Sequence, residues 1–220
     1  SQRRGPRIFT ALAEGGDGRL LVGSYGGLGW LDDALETRPL EWERTVQPEV
    51  SLLWNDGGGR LWCSSLGALR SRTDDAWHEY GPAEGFTPVP VKSALARRDG
   101  ALWFGTSGRG IGVFRDGRFE WIGAEQGLGN LRVRGMFEDE RGVVWAGTEG
   151  GGLARIELAT GAPASRAQVR MIRRRDGLLD DIVHAIVTDD SHRLWMSTNR
   201  GICCVAREQL DAFARGESRA

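Results

Sequence analysis

Four near-copies of one phrase recur along this chain, each centred on a tryptophan: GRLWCSS at Trp62, GALWFGT at Trp103, GVVWAGT at Trp145 and HRLWMST at Trp195. The tryptophans are 41, 42 and 50 residues apart, and GRLLVGS places Leu21 at the equivalent position 41 residues before Trp62. A period near 40 residues with strand-like units is typical of propeller blades, which have four short strands each. The sequence therefore predicts an all-β propeller with five visible blades.

A glycine also recurs with the same period as the tryptophan. Gly85, Gly127 and Gly177 each lie 18 residues before a tryptophan. The residues between the glycine and the tryptophan alternate between apolar and polar, as half-buried strands do. Asp-Gly dipeptides then indicate tight turns between strands. In the third unit this pattern predicts four strands, A to D: Val91–Ala96, Leu102–Thr106, Ile111–Arg115 and Arg118–Ile122.

The other units follow the same plan with local departures. Strand D is predicted at Leu40–Arg44 in the first unit and at Ala76–Tyr80 in the second. The fourth unit carries an insertion of about eight residues between strands C and D, which a surface hairpin tolerates. The fifth has three strands and then a short helical connector, so its blade is incomplete. The predicted blades are 7–45, 46–82, 88–124, 131–174 and 181–206, and the predicted connector is 207–216.

Composition excludes several classes of function. The 220 residues carry a formal net charge of −1, which argues against a nucleic-acid or anionic-membrane partner. No apolar run reaches the roughly 20 residues that a membrane span needs, so we expect no direct membrane insertion by this segment. The three cysteines do not form a disulfide framework, and no metal-ligand spacing is present. We therefore predict no metal, no cofactor and no catalytic residues.

The repeats resemble those of the two-component regulator propeller family. Asp99 to Thr106, DGALWFGT, followed by Gly110 and Ile111, is the best match, and Glu140 to Thr148, ERGVVWAGT, is the second. Blades one, two and five depart from the pattern. The resemblance implies the sensor region of a bacterial hybrid histidine kinase or related signalling protein, located in the periplasm. It also implies a seven-bladed propeller, of which this chain would be a fragment.

The repeated tryptophans are interpreted as structural. A large aromatic side chain at the same place in each blade is what packing between blades requires. We expect this role for Trp62, Trp103, Trp145 and Trp195.

Non-repeated residues are the better guide to a site. Because strand direction alternates, the B–C turns and the D–A connections should emerge on one face. Candidate D–A residues are Thr87, Asn130, Asp180 and Asp181, and Leu66 is a further B–C position. The B–C turns offer groups for a polyhydroxyl or carboxylated ligand, although the same groups also suit an ordinary polar rim. The ligand-binding candidates are Tyr25, Arg109, Glu149, Asn199 and Arg200.

Three functions are compatible with these sequence features. The first is a non-catalytic sensing module for a small molecule or glycan. The second is a protein-interaction scaffold, with self-association through open blade edges. The third is a lyase-type propeller enzyme with a metal in its channel, to which the three histidines, His78, His184 and His192, lend little support because their predicted positions do not share a face.

Overall fold

The computed structural model describes residues 9–15, 18–24, 27–31, 37–39, 49–73 and 76–217. These residues form antiparallel sheets of consecutive strands, four sheets with four strands and one with three, and a single α-helix. This arrangement is a partial β-propeller, as the repeats predict. The chain divides into two compact units, Ser1–Val91 and Lys92–Ala220, which are described separately below.

The first unit contains two sheets. The strands of the first sheet are β1 (Phe9–Glu14), β2 (Leu20–Ser24), β3 (Gly27–Leu31) and β4 (Thr37–Pro39). Those of the second are β5 (Val50–Asn55), β6 (Leu61–Ser65), β7 (Ala68–Thr73) and β8 (Ala76–Tyr80). The predicted strand at Leu40–Arg44 lies outside the described residues, and the segment that pairs with β3 is β4 instead.

The second unit contains the other three sheets. The third sheet has β9 (Val91–Ala96), β10 (Leu102–Thr106), β11 (Ile111–Arg115) and β12 (Arg118–Ile122). The fourth has β13 (Val133–Glu138), β14 (Val144–Thr148), β15 (Leu153–Glu157) and β16 (Gln168–Ile172). The fifth has β17 (Val183–Thr188), β18 (Arg193–Thr198) and β19 (Gly201–Ala206), and the helix α1 (Arg207–Ala214) follows.

The glycine of the Trp-x-Gly-Thr phrase is explained by the close approach of the next sheet. A Cβ atom on Gly105 would collide with Oγ of Ser93 in the same sheet and would lie 2.8 Å from a methyl carbon of Val133. One on Gly147 would lie 2.6 Å from the carbonyl oxygen of Val183. Both valines begin the first strand of the following sheet. Only a residue without a side chain allows strands to approach this closely.

The second sheet has Ser64 where the third and fourth have this glycine. The Ser64 hydroxyl accepts a hydrogen bond from the backbone N–H of Val91 at 3.1 Å. The Ser51 hydroxyl donates to the carbonyl oxygen of Val91 at 2.9 Å. The serine is therefore accommodated because its hydroxyl bonds to Val91, the last residue of the first unit.

In three sheets, an aspartate in the turn between the first two strands accepts a hydrogen bond from the repeated tryptophan. In the fourth sheet, Asp139 accepts backbone N–H groups from Arg141 and Val143 through Oδ1. Its Oδ2 accepts the indole N–H of Trp145 at 3.1 Å. Asp56 and Asp189 bond in the same way to the tryptophans of the second and fifth sheets. Each aspartate thus joins its turn to the core.

The tryptophans are not equally buried. Trp62, Trp103 and Trp145 have no exposed surface, whereas Trp195 is 38% exposed. The expectation of inter-blade packing therefore does not describe Trp195. Among the described residues, no other strand packs on the side of the fifth sheet from which Trp195 projects.

The helix α1 packs against the fourth and fifth sheets. Its Leu210 is buried in the core that these sheets share, together with Trp145 and Met196. The Asp211 carboxylate accepts hydrogen bonds from Arg155 and Arg141, both at 2.7 Å. The segment that the sequence indicates as a connector is thus part of the folded core.

Candidate functional site

In the second unit, the B–C turns are hydrogen-bonded to the D–A connections, so the two sets of loops form one surface. Gly108 and Gly110 donate backbone N–H groups to the Leu131 carbonyl at 3.1 and 2.9 Å. Gly150 and Gly152 do the same to Asp181, at 3.0 and 2.8 Å. We call this surface the loop face; it comprises 107–110, 123–132, 149–152, 173–182 and 199–200.

Asn130 joins the connection between the third and fourth sheets to the neighbouring turn. Its side-chain amide donates to the Glu149 carbonyl at 2.8 Å, while its Oδ1 accepts the backbone N–H of Arg132. The Glu149 backbone N–H also donates to the carbonyl of Arg132 at 2.9 Å. These bonds fix the position from which the Glu149 side chain projects.

The Glu149 carboxylate pairs with Arg134, the second residue of β13. Nε and Nη2 of Arg134 lie 3.2 and 2.9 Å from the same carboxylate oxygen. This hydrogen bond lowers the pKa of Glu149 from its ordinary value, and charges on Arg134, Arg132 and His184 act in the same direction. Glu149 therefore lies among several cationic or ionisable groups.

His184 and Asn199 form the adjoining part of the site. His184 Nε2 lies 2.7 Å from Oδ1 of Asn199 across the first two strands of the fifth sheet. Since the amide oxygen can only accept, the histidine donates this bond. His184 also acts electrostatically on Glu149, so Glu149, Arg134, His184 and Asn199 form one cluster.

The remaining candidates lie apart from this cluster or outside the described residues. The guanidinium of Arg109 lies over the Trp121 ring, 4.6 Å from its centre. Arg200 is 4.0 Å from Asp180, at the limit of an ion pair. Leu66 belongs to the first unit and is 67% exposed, while Tyr25 lies outside the described residues.

Sequence reasoning missed a polar residue that recurs at one position in the first strand of each sheet. The second residue of each first strand is polar in all five sheets, in a strand that otherwise carries many apolar residues. These residues are Thr10, Ser51, Lys92, Arg134 and His184. A polar residue at one fixed blade position was the signal that could have found them.

Their backbone geometry distinguishes these positions. The pairing register shifts between the first and third residues of β13 and of β17, so the residue between them leaves the regular ladder. Such bulges redirect a side chain, and they occur often beside functional sites. Arg134 and His184 thereby contact residues of the B–C turns instead of packing within the sheet.

The cluster can bind a ligand through charge and hydrogen bonds. Arg134 offers a cationic donor, Glu149 an acceptor, and Asn199 an amide that both donates and accepts. Among the described residues, no group of three or more His, Cys, Asp or Glu side chains could hold a metal ion. His78 and His192 each lie near one glutamate, at 3.9 and 3.8 Å, and take no part in this cluster.

The fold and this loop surface define a β-propeller module of the repeat type. Residues 127–150 match the family model described as "Two component regulator propeller". This match falls on the fourth repeat and agrees with the family recognised in the sequence. No curated protein sequence matches the chain.

Solved structures show the same fold. The extracellular domain of a hybrid two-component system from B. thetaiotaomicron superposes with a TM-score of 0.74 at 21% identity, over 89% of this chain and 27% of that one. PorZ, a surface component of the type-IX secretion system of Porphyromonas gingivalis, has a TM-score of 0.67 at 18% identity, over 90% and 32%. This chain therefore spans about a quarter to a third of these proteins.

A propeller enzyme is also similar in fold. Virginiamycin B lyase from Staphylococcus aureus has a TM-score of 0.68 at 16% identity, over 93% of this chain and 68% of the lyase. No helix among the described residues is long and apolar enough to cross a membrane.

Proposed function

We propose that this chain is the ligand-sensing part of an extracytoplasmic signalling protein, and that it binds a small molecule or glycan on the loop face without catalysing a reaction. The observation that carries the proposal is the cluster of Arg134, Glu149, His184 and Asn199. These side chains differ from blade to blade, yet they stand on repeated backbone positions. Variable groups on a fixed scaffold are how propellers acquire binding specificity.

The comparisons support this proposal at the level of protein class. The family model and the fold of bacterial extracellular sensor domains both fit a signalling role. A periplasmic location follows from the same relation and forms part of the proposal. Fractionation of cells that express the natural protein, with protease added to intact spheroplasts, tests this location, because only a periplasmic segment would be digested.

Binding is tested by calorimetric titration of a panel of neutral and acidic oligosaccharides against the 220-residue chain. We expect at least one to bind and to raise the unfolding midpoint. His184→Ala and Asn199→Ala should weaken that binding because each removes a hydrogen-bonding group from the cluster. Arg118→Gln, an exposed change at the start of β12 beside the C–D turn, is the matched control. Binding by none of the panel, or binding unaffected by both cluster variants, would contradict the proposal.

A second candidate is a protein-interaction scaffold, and one observation favours it. The outer face of the fifth sheet exposes Val187 by 59%, Trp195 by 38% and Ile202 by 72%. These residues lie on one side of the sheet, since Val187 pairs with Trp195, and Ile202 pairs with Ser197, which is two residues from Trp195 along the strand. Light scattering tests self-association through this face: Trp195→Ser should convert a dimer to a monomer if the face is used.

A further inference from the structure

We propose that the ligand of the loop face is an anionic saccharide, whose carboxylate or sulfate group is held by Lys92, Arg134 and His184. This inference rests on the proposed function and specifies the ligand class of the same site. It is carried by the position of these three residues and by the local balance of charge.

The three residues are equivalent in the fold. Lys92, Arg134 and His184 are the second residues of β9, β13 and β17, the first strands of three successive sheets. The first strands of the fourth and fifth sheets approach closely, since a Cβ atom on Gly135 would lie 3.0 Å from the His184 carbonyl oxygen. Equivalent positions on adjacent strands place their side chains in one row. We call Lys92, Arg134 and His184 the donor row.

The charge around the row is positive on balance. Arg134 forms an ion pair with Glu149, and Arg132 also acts electrostatically on this carboxylate, whereas Lys92 forms no ion pair among the residues that the structure describes. All these residues are at least partly exposed, and a ligand can reach them. The whole chain has a net charge of −1, so this local surplus does not follow from a basic composition. A surplus of cations beside hydrogen-bonding amides favours an anionic ligand.

Glu149 shows that Arg134 of the row binds a carboxylate. Arg134 directs both Nε and Nη2 to one Glu149 oxygen, at 3.2 and 2.9 Å, which is a charge-assisted contact with this chemical group. A carboxylate from a ligand would enter beside Glu149 and share Arg134 with it, while Lys92 and His184 supply further donors. Glu149 then competes with the ligand for Arg134.

The test is a calorimetric titration with probes that differ only in charge. The carboxylate arm compares a galacturonate trimer with its methyl ester, which has the same rings but no charge. The sulfate arm compares a galactose trimer before and after 6-O-sulfation. We expect the charged member of at least one pair to bind at least about tenfold more tightly than its neutral partner, the usual size of a charge-assisted bond. The arm that responds identifies the source of the charge.

Removing a cation and removing the competing carboxylate should change the affinity for the charged probe in opposite directions. Arg134→Gln and Lys92→Gln should each weaken binding of the charged probe by about five- to tenfold or more, whereas Glu149→Gln should tighten it because the competing carboxylate is removed. Arg118→Gln removes the same charge at the opposite ends of the strands and should change nothing. Unfolding curves recorded for each variant confirm that it remains folded.

The outcomes separate this inference from the proposed function. If neutral probes bind as well as charged ones, or if Glu149→Gln weakens binding, the anionic ligand class is wrong while the sensor proposal stands. If the oligosaccharide panel contains a ligand but none of these four probes binds, this inference alone fails. If no member of the panel binds to the folded chain, the proposed function fails and this inference fails with it. Tight binding of a charged probe, lost in Arg134→Gln and improved in Glu149→Gln, supports both.

Discussion

In the third sheet the guanidinium carbon of Arg97 lies 5.1 Å from the centre of the Trp103 ring. Arg97 stands six residues before the tryptophan, where the second, fourth and fifth sheets place the aspartate that accepts the indole N–H. The Trp103 Nε1 atom consequently has no hydrogen-bond partner. A cation over the ring face offsets this loss in part.

Arg97 also links the third sheet to the fourth. Its Nε donates to Glu138 at 2.9 Å, its Nη2 to the carbonyl of Gly142 at 3.0 Å, and its Nη1 lies 3.3 Å from Asp99. The side chains of Arg97, Asp99 and Glu138 are all nearly buried. One substitution in the repeat has therefore replaced a bond within a sheet by a charge network between sheets.

Restoring the repeat at this position should destabilise the protein. Arg97→Asp supplies an acceptor for Trp103, but it places a third carboxylate beside Asp99 and Glu138. Arg115 still pairs with Asp99, at 3.1 Å, but Glu138 loses the cation that Arg97 supplied. We expect the free energy of unfolding to fall by about 3–5 kcal/mol, the usual cost of breaking a buried ion pair. Urea denaturation measures the change. Adding Glu138→Gln to this variant should recover part of the loss, and a fully stable single variant would disprove the network's role.

The two aspartates of the fourth and fifth sheets should differ in importance. Asp139 is fully buried, so Asp139→Ala leaves two backbone N–H groups and the Trp145 indole without an acceptor. We expect a loss of about 3 kcal/mol or more, since each unsatisfied buried donor costs about 1–3 kcal/mol. Asp189→Ala removes equivalent bonds at an exposed site, where water replaces the acceptor, and should cost much less. Equal losses in denaturation experiments would contradict this comparison.

Gly147 should tolerate no side chain. In Gly147→Ala the new methyl group would meet the Val183 carbonyl oxygen at 2.6 Å, and a backbone atom cannot easily move away. We expect a destabilisation of about 3 kcal/mol, at the upper end of the range for overpacking. Gly123→Ala is the matched control, because its Cβ would meet only Leu131 at 3.8 Å. Thermal unfolding of both variants provides the measurement, and a Gly147→Ala protein as stable as Gly123→Ala would refute the steric argument.

Asp211 should hold α1 in place. The carboxylate is 2% exposed and bonds to Arg155 and Arg141, so Asp211→Ala leaves the partly buried Arg155 without its main partner. We expect a loss of about 3–5 kcal/mol and faster amide hydrogen exchange throughout α1. Glu217→Ala breaks only an exposed pair with Arg215 and should leave both measurements unchanged. Protected α1 amides in Asp211→Ala would show that apolar packing alone fixes the helix.

Asp189 should make stability depend on acid pH. The Trp195 indole hydrogen bond, with backbone and side-chain bonds from Arg193, lowers the pKa of Asp189 from 3.8 to about 2 in the folded state. Because the pKa of Asp189 is lower in the folded state, its ionised carboxylate stabilises the fold at pH values above its ordinary pKa of 3.8. This contribution is lost as the pH falls from 3.8 towards 2. The difference in unfolding midpoint between wild type and Asp189→Asn should therefore shrink over this range. A difference independent of pH would show that Asp189 does not titrate there.

The sequence was a good guide to the strands and a weaker one to the site. The third blade's four strands have the predicted bounds, because its turns carry Asp-Gly dipeptides whose geometry is local. Asn130, Glu149 and Asn199 were named as candidates, but Arg134 and Lys92 were missed. Their position inside a strand suggested packing, and for Arg134 only the bulge shows that the side chain leaves the regular ladder.

What the sequence determined by itself is the repeat and its consequences: the blade period, the strand and turn positions, and the need for tryptophan and glycine at fixed places. These follow from local pattern and from sterics that each blade repeats. Tertiary structure alone decided that Arg97 bonds to Glu138, 41 residues away, that Trp195 is exposed, and that Arg134 meets Glu149 beside His184. Such contacts depend on how neighbouring sheets pack, and the distance between side chains on different sheets is not encoded in any local pattern.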